Sequence, residues 1–219
     1  MQSPHLYTLP LCRPARQIGV FPIFSLVFII LLSSAHAGDW RVYFSPDGKA
    51  TTAIIQALGQ AQQSVYVQAY SFTSAPIAKA LTQAHRRGVQ VQVILDKSNQ
   101  MDKYSAADFL VYAGISTFID AANTIAHNKV MLIDERLVIT GSFNFTRAAE
   151  RDNAENLLVV DDPQLAAEYL ENWRLHASHS QKYQGKGQSQ YRGQDRGQDR
   201  GAGQGNGILE SLFKKVFEN

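Results

Sequence analysis

Four residues whose side chains could do chemistry lie in a largely apolar stretch, AHNKVMLIDERLVITGSFNF, that begins at Ala126. His127 and Lys129 lie two residues apart, and so do Ser142 and Asn144. Residues two apart in a β-strand project to the same face, so each pair would present its side chains together. An imidazole can act as a nucleophile, acid or base, a lysine supplies fixed positive charge, and Ser and Asn donate neutral hydrogen bonds. The spacing therefore predicts a site that holds phosphate oxygens during attack at phosphorus.

Asp134 belongs to the same stretch but falls at an odd offset from both His127 and Lys129. If residues 128 to 134 form a strand, its carboxylate points to the opposite face. We therefore expect Asp134 to have a structural purpose, either holding the turn at DER or accepting a hydrogen bond from a backbone amide.

Each of these residues also has an ordinary structural interpretation when it is considered alone. A histidine beside a strand is often a packing residue, and Lys129 alone would be a charge that protects an edge strand. Ser142 and Asn144 alone would be turn or helix-cap residues, because FTRAAE can begin a helix. The joint spacing favours a functional site, since polar residues in every expected position of an apolar segment are difficult to explain as surface.

The other histidines near predicted elements are weaker candidates for this chemistry. His85 lies at the end of a predicted helix, where the helix dipole favours a positive charge. His176 and His179 fall at what we expect to be the fraying end of the last predicted helix.

The surrounding chain alternates short strands with amphipathic helices. Strands are predicted by β-branched and aromatic runs, and helices by apolar residues at helical spacing with Ser, Pro and Gly at their ends. The predicted strands begin at Trp40, Ser64, Val89, Ile115 and Glu155, and the predicted helices cover about 50–63, 74–88, 106–113 and 163–177. This order predicts an α/β domain over residues 38–180, a layered α-β-α sandwich with a mixed central sheet.

Residues 1–37 have the layout of a secretory signal peptide. Arg13 and Arg16 precede an apolar run that ends at Leu32, and the small-residue pattern AHAG follows it. Cleavage near Ala37 would release a periplasmic or secreted domain. The alternative is an uncleaved membrane anchor, although the apolar run is shorter than the about 20 residues of a membrane span.

Cysteine content and charge limit the predicted mature domain. Cleavage would remove Cys12, the only cysteine, so the domain must be stable through its core rather than through disulfides. The full chain has 21 Lys and Arg against 19 Asp and Glu, so loss of Arg13 and Arg16 would leave the two counts equal. Net charge therefore gives no support to nucleic-acid binding, and a polyanion would have to be held by local geometry.

Composition changes abruptly after residue 180. Residues 181–207 are rich in Gly, Gln and Arg and lack aliphatic side chains, which predicts a flexible linker. Residues 208–219, ILESLFKKVFEN, regain helical periodicity and predict a short amphipathic helix. This helix would dock on another chain, on the same body or on a membrane surface, or would remain frayed because isolated helices of this length are marginal in water.

His127-x-Lys129, Asp134 and the segment Gly141-Ser142-x-Asn144 together resemble the signature of the phospholipase D superfamily, and every position matches. The neighbouring sequence GSFNFTRAAERDNAENLLVV is similar to the small single-motif branch, whose members are secreted or periplasmic endonucleases. The resemblance covers nearly all of residues 40–178, including YFSP and QAYSFTS. It implies that superfamily's fold and a sequence-nonspecific phosphodiesterase that cleaves DNA, with RNA as a second substrate.

The resemblance also implies a mechanism. Members of the superfamily use two histidines: one attacks phosphorus to give a phosphohistidine, and the other protonates the leaving oxygen and then activates water. His127 would be the nucleophile, and Lys129, Ser142 and Asn144 would neutralise the phosphate oxygens without a metal or other cofactor. Glu155 matches the family's downstream acid that orients the histidine ring, although a strand-edge carboxylate is an equally ordinary interpretation.

The mechanism and the sequence differ in the number of histidines that they provide. The chain has one His-x-Lys pair, whereas the chemistry requires two histidines at one phosphate. A symmetric homodimer would supply the second His127 across its two-fold axis.

Two other functions are compatible with the same sequence. The first is a phospholipid phosphodiesterase or phosphatidyl transferase, with residues 1–37 or 208–219 holding it at a membrane. The second is a protein that tethers a partner through residues 208–219. Backbone phosphate contacts are expected if the substrate is nucleic acid, because no base-reading module is recognisable.

Overall fold

The computed structural model describes residues 39–103 and 105–186, together with residues 210, 211, 213, 214 and 217. The predicted signal peptide at 1–37 and residues 187–207 of the predicted linker lie outside this part of the chain. Within the described part, no helix is long and apolar enough to cross a membrane.

The centre of the fold is one mixed sheet of eight strands in the order β1-β7-β6-β5-β2-β3-β4-β8. Strands β2, β3 and β4 are parallel to one another, and every other neighbouring pair is antiparallel. The strands are β1 (Asp39–Ser45), β2 (Ser64–Ala69), β3 (Gln90–Asp96), β4 (Ser116–Asp120), β5 (Lys129–Ile133), β6 (Leu137–Gly141), β7 (Glu155–Asp161) and β8 (Gln181–Lys182). The predicted α/β fold with a mixed central sheet is confirmed.

Helices cover both faces of this sheet. The helices are α1 (Ala50–Gln60), α2 (Ala75–Arg86), α3 (Ser98–Met101), α4 (Ala107–Tyr112), α5 (Arg147–Arg151) and α6 (Pro163–His179). Side chains of α1, α2 and α4 form the larger apolar core with one face of the sheet. Helix α6 packs on the other face, where its Ala166, Leu170 and Trp173 contact buried residues of β3, β5 and β6.

Local sequence explains where the longest helix begins. Asp162 precedes α6, and its carboxylate accepts hydrogen bonds from the backbone amides of Gln164 and Leu165. Pro163 occupies the first turn, where a missing N–H costs nothing. Further along α6, the Trp173 indole donates to the carbonyl of Val67, which fixes the helix over the centre of the sheet.

The end of α6 differs from the sequence prediction. His176 and His179 were expected at a fraying terminus, but α6 continues through His179 and Ser180 closes it by donating from its backbone N–H to the carbonyls of His176 and Ala177. Both imidazoles also contact the buried carboxylate of Asp120. The prediction was wrong because a contact with a distant strand stabilises this turn.

The ordered body also extends beyond residue 180, where we expected the linker to begin. Gln181 and Lys182 form β8, which pairs with β4. Tyr183 is buried, and its hydroxyl donates to the carboxylate of Asp108, 2.8 Å away. The backbone N–H of Lys186 donates to the same carboxylate. Composition alone missed these contacts because they join the tail to distant residues.

The described part of the C-terminal segment packs on the same chain. Residues 210, 211, 213, 214 and 217 are helical. The rings of Phe213 and Phe217 lie 5.5 and 5.6 Å from the ring of Phe109 in α4. Of the alternatives left open by the sequence, these contacts correspond to docking on the same body.

Asp134 connects the turn after β5 to the beginning of β2. It adopts a left-handed conformation with φ of 53°, and its carboxylate accepts hydrogen bonds from the backbone amides of Gln62, Gln63 and Ser64 at 2.7 to 3.2 Å. Its own backbone N–H donates to the carbonyl of Ser64. One side chain therefore satisfies the amides that lead into a central strand.

Replacement of Asp134 by Ala should lower the free energy of unfolding by about 2 to 4 kcal/mol, because charge-assisted acceptors of several amides are lost. Urea denaturation measures this change. Asp134→Asn, which keeps one acceptor oxygen and tolerates a positive φ, should lose less. An unchanged unfolding midpoint in Asp134→Ala would contradict the anchoring function.

Candidate functional site

The antiparallel arrangement of β5, β6 and β7 brings three chain segments to one edge of the sheet. β5 begins at Lys129, β6 ends at Gly141 and β7 begins at Glu155. Because neighbouring antiparallel strands run in opposite directions, the start of one lies beside the end of the next. Lys129 shares its face with the core residue Met131, and Glu155 shares the same face with Leu157.

A cavity of about 430 Å³ opens at this edge. Its lining residues are His127, Lys129, Gly141, Ser142, Asn144 and Glu155. The structure therefore brings together every residue that the sequence assigned to the chemistry. Asp134 does not line the cavity, as expected for a residue with a structural purpose. The chemical roles of the lining residues remain predictions.

Lys129 is an unusually buried cation, with only 6% of its surface exposed. Its Nζ donates to the carbonyl of His127 at 2.8 Å and lies 3.1 Å from Nδ1 of the same residue. Burial lowers the pKa of Lys129 below its ordinary value, and the negative charge of Glu155 partly opposes this shift. A buried lysine with few neighbouring anions is a favourable environment for an incoming phosphate.

Tyr70 also belongs to this site, although sequence reasoning did not single it out. Its ring centroid lies 4.5 Å from that of His127, and Lys129 Nζ lies 5.0 Å from the Tyr70 ring. The backbone N–H of Tyr70 donates to the carbonyl of Asn128 at 2.8 Å. The ring packs against His127 and offers its π face to the cation. Only the pairing of β2 with β5 reveals this proximity, and that pairing is not visible in the sequence.

Asn156 is a second residue that the sequence analysis missed. Its backbone N–H and side-chain Nδ2 both donate to the hydroxyl of Ser142, at 3.1 and 3.3 Å. Its carbonyl accepts from the backbone amides of Ser142 and Phe143. These contacts set the position of the Ser142 hydroxyl and leave its own proton to be donated elsewhere.

Gly141 is required because the end of β6 lies very close to the backbone of Asn156. Its φ is 140°, and a Cβ at this position would collide with the backbone carbonyl of Asn156. Only glycine allows β6 to end against β7 in this way. The Gly-Ser pair of the motif thus has a steric reason as well as a chemical one.

Asn144 and Glu155 complete the lining of the cavity, and they differ in how their side chains are hydrogen-bonded. Asn144 Oδ1 is buried and has no hydrogen-bond partner among the described residues. Such an atom is costly, and functional sites are a common place to find one. Glu155 Oε1 accepts a hydrogen bond from Asn153 Nδ2 at 3.1 Å. The cap of α5 is Thr146, which accepts from Ala149, so Asn144 is not needed for that purpose.

The cavity as a whole combines one imidazole, one buried cation, hydroxyl and amide groups, and one carboxylate. The cation and the neutral donors could hold the non-bridging oxygens of a phosphate. Because Lys129 Nζ lies within hydrogen-bonding distance of the His127 ring, a phosphate held by the lysine would lie within reach of the imidazole.

The chain matches one protein-family model and is similar in sequence to several known proteins. The family described as "Cardiolipin synthase, PLD-like domain" matches residues 54–174. The chain is 48% identical over 130 residues to "Phospholipase D" of Rickettsia typhi, a match that covers 59% of this chain and 64% of the relative. It is 34% identical over 157 residues to "Mitochondrial cardiolipin hydrolase" of Xenopus laevis, covering 72% and 74% of the two chains. The chain thus spans just under two thirds of the length of the Rickettsia relative.

Two solved structures are similar over most of the described body. A phospholipase D family member, Nuc from Salmonella typhimurium, superposes with a TM-score of 0.65 at 37% identity and is matched over 98% of its chain and 67% of this one. NucT from Helicobacter pylori superposes with a TM-score of 0.62 at 26% identity, over 99% of its chain and 67% of this one. Both similarities therefore extend over nearly the whole of the solved chain.

Replacement of Lys129 by Met should raise stability at neutral pH, because it removes a charge whose burial is unfavourable. The unfolded chain keeps the ordinary lysine pKa of 10.5, so below that pH it binds more protons than the native chain. The wild type should therefore gain stability relative to the variant as the pH rises towards that value.

Urea unfolding at a series of pH values, from neutral upwards, measures this difference. Lys79→Met is the matched control, because Lys79 is exposed on α2 and its removal should leave the pH dependence of stability unchanged. A Lys129→Met protein that is less stable than the wild type by the same amount at every pH would contradict the expected cost of burying this charge.

Proposed function

The chain is a member of the phospholipase D superfamily, and we propose that it is a phosphodiesterase whose nucleophile is His127. The observation that carries this proposal is the convergence of His127, Lys129, Ser142 and Asn144 on one cavity. The imidazole attacks phosphorus, the P–O bond to the leaving group breaks, and a phosphohistidine forms. Water then attacks phosphorus, breaks the P–N bond and releases a phosphate monoester.

The charges of the phosphate are balanced by groups that the chain itself supplies. Lys129 is held beside His127. Asn156 donates to the Ser142 hydroxyl and so orients it to donate its own proton to a phosphate oxygen. Because these donors are preorganised at the cavity, they can stabilise the additional negative charge that develops on the phosphate oxygens. The proposed reaction therefore proceeds without a metal ion at phosphorus.

We propose nucleic acid, and DNA in particular, as the substrate, cleaved without sequence specificity. Arg147 and Arg151 are exposed and lie one turn apart on α5, the helix that follows the segment of Asn144. Residues four apart share one side of a helix, so the two guanidinium groups can contact phosphates that neighbour the one in the cavity. A substrate with phosphates at regular intervals uses these contacts, whereas an isolated phosphodiester does not.

The active unit in this proposal is a homodimer. The cavity is lined by one histidine among the described residues, and the leaving oxygen needs a second acid. Strand β1 lies at the edge of the sheet and exposes Trp40 and Phe44 by 65% and 62%. Phe44 is paired with Asn156, beside the cavity. An exposed apolar edge at this position suits a second copy that brings its own His127 to the phosphate.

A phospholipid substrate is the second candidate, and it is favoured by the similarity to a mitochondrial cardiolipin hydrolase. The same four cavity residues would carry out the chemistry. Trp40 and Phe44 of β1 are exposed and give a lipid some apolar surface to contact. The two candidates differ in substrate and share the nucleophile.

Nicking of supercoiled plasmid in the presence of EDTA at low salt tests the DNA proposal. The wild type should convert the plasmid to the open circle, and His127→Ala should lower the rate by at least about 1,000-fold because the nucleophile is lost. His85→Ala, which removes a histidine distant from the cavity, should cleave at the wild-type rate. The same proteins are applied to vesicles that contain cardiolipin. Lipid hydrolysis with intact plasmid would overturn the DNA assignment and keep the phosphodiesterase.

Mixed dimers test whether two copies of His127 serve one phosphate. Wild-type and His127→Ala chains carrying different affinity tags are co-expressed, and the heterodimer is isolated by tandem purification. We expect the heterodimer to be nearly inactive, since a shared site loses either its nucleophile or its acid. A heterodimer with half of the wild-type activity would show that each chain has an independent site.

A further inference from the structure

A second cluster of functional side chains lies at the end of β4, three strands away from the cavity at the start of β5. Asp120, the last residue of β4, contacts His176 and His179, which lie three residues apart in the final turn of α6. One ligand atom from each of the three residues lies within 4.8 Å of the others. We propose that these three residues bind a divalent transition-metal cation, specifically Zn²⁺.

The donor set suits zinc. Two imidazole nitrogens and one carboxylate oxygen are the ligands of many zinc sites, with a water molecule as the fourth. His179 Nε2 lies 3.4 Å from Asp120 Oδ1. Two ligand atoms of one tetrahedral zinc ion are separated by about 3.3 Å, as follows from bond lengths of about 2.0 Å. His176 Nδ1 lies 2.7 Å from the other carboxylate oxygen, Asp120 Oδ2, so each oxygen of Asp120 faces one imidazole.

The carboxylate is held in place before any cation binds. Asp120 is fully buried, and it accepts hydrogen bonds from the backbone N–H of Ala122 and from Asn123 Nδ2. A buried carboxylate that these hydrogen bonds hold beside two imidazoles is a preformed ligand set.

The histidines are positioned by the chain that follows them. Ser180 ends α6, and the next residue, Gln181, pairs with Ile119 of β4, which immediately precedes Asp120. The end of α6 is thus tied to the strand that carries the third ligand. The C-terminus of a long helix also carries a partial negative charge, which adds to the attraction of the carboxylate for a cation.

This cluster is separate from the phosphate cavity. β4 and β5 are separated by β3 and β2, which places the strands about 14 Å apart at normal strand spacing. Asp120 faces α6, whereas Lys129 shares the opposite face of the sheet with Met131. Zinc at Asp120 would therefore bind α6 to the sheet and would not contact the substrate phosphate.

Zinc titration of the metal-free protein tests the proposal. The protein is expressed as the full chain, purified without a polyhistidine tag, stripped with EDTA and titrated with Zn²⁺ in a calorimeter. Co²⁺ replaces zinc in a parallel experiment, because tetrahedral Co²⁺ has an intense visible absorption. We expect one Zn²⁺ per chain, the tetrahedral Co²⁺ spectrum, and a thermal unfolding midpoint that rises with zinc concentration.

His179→Gln is the decisive variant, because His179 is about one-third exposed and its replacement leaves the Asp120–His176 contact in place. Its zinc affinity should fall by at least about 100-fold. Asp120→Asn should show the same loss. His85→Gln and His127→Ala should bind zinc as the wild type does, since neither residue belongs to the cluster. The proposal is overturned if the wild type takes up no zinc, or if His179→Gln binds it with unchanged stoichiometry and affinity.

Discussion

The antiparallel pairing of β5, β6 and β7 is the constraint on which the phosphate cavity depends. A short turn joins β5 to β6, and a longer segment that contains α5 joins β6 to β7. The pairing of these strands places Lys129, Gly141 and Glu155 at one edge of the sheet. A shift of one residue in either register would turn Lys129 or Glu155 to the opposite face. Such a shift is costly because β5 has buried apolar side chains on both faces, and a shift would move each of them from one core to the other.

Around this edge the fold maintains local arrangements that stability alone would not favour. Lys129 is buried with a lowered pKa, and Asn144 Oδ1 has no hydrogen-bond partner among the described residues. The cost is offset by the large apolar core directly beneath, to which Phe143 and Phe145 contribute fully buried rings. These rings flank Asn144 in sequence and hold its backbone in place. The polar residues of the loop therefore alternate with residues that anchor it.

Much of this could be predicted from the sequence, and the remainder depends on contacts between distant segments. Two-residue spacing correctly indicated that His127 and Lys129 belong together and that Asp134 faces away. Periodicity also predicted most helices and strands, because each has a local apolar pattern. The sequence did not predict that Tyr70 and Asn156 lie at the site, because their proximity to it depends on strand pairing.

The ends of the folded body show the same limit. The two residues of β8 are too few to carry a strand pattern, and only their pairing with β4 makes them a strand. His176 and His179 were expected to fray because their local sequence offers no support for the helix. Their actual support, Asp120, is more than fifty residues away in the chain. Local propensity predicts such an end poorly whenever a buried partner decides it.

The loop of residues 121–128 links the two polar clusters of the molecule. It begins after Asp120 and ends beside Lys129, and buried carboxylates restrain it along its length. Asp120 accepts from Ala122 and Asn123, and Asp96 accepts from the backbone N–H of Ala126, which immediately precedes His127. His127 is thus positioned from one side by Lys129 and Tyr70 and from the other by the acidic ends of β3 and β4. A cation at Asp120 would strengthen one end of this loop, because a carboxylate fixed by a metal holds its amide donors more rigidly. Two buried carboxylates, Asp96 and Asp120, therefore order the loop from one side, while Lys129 supplies the positive charge in the cavity that a phosphate requires.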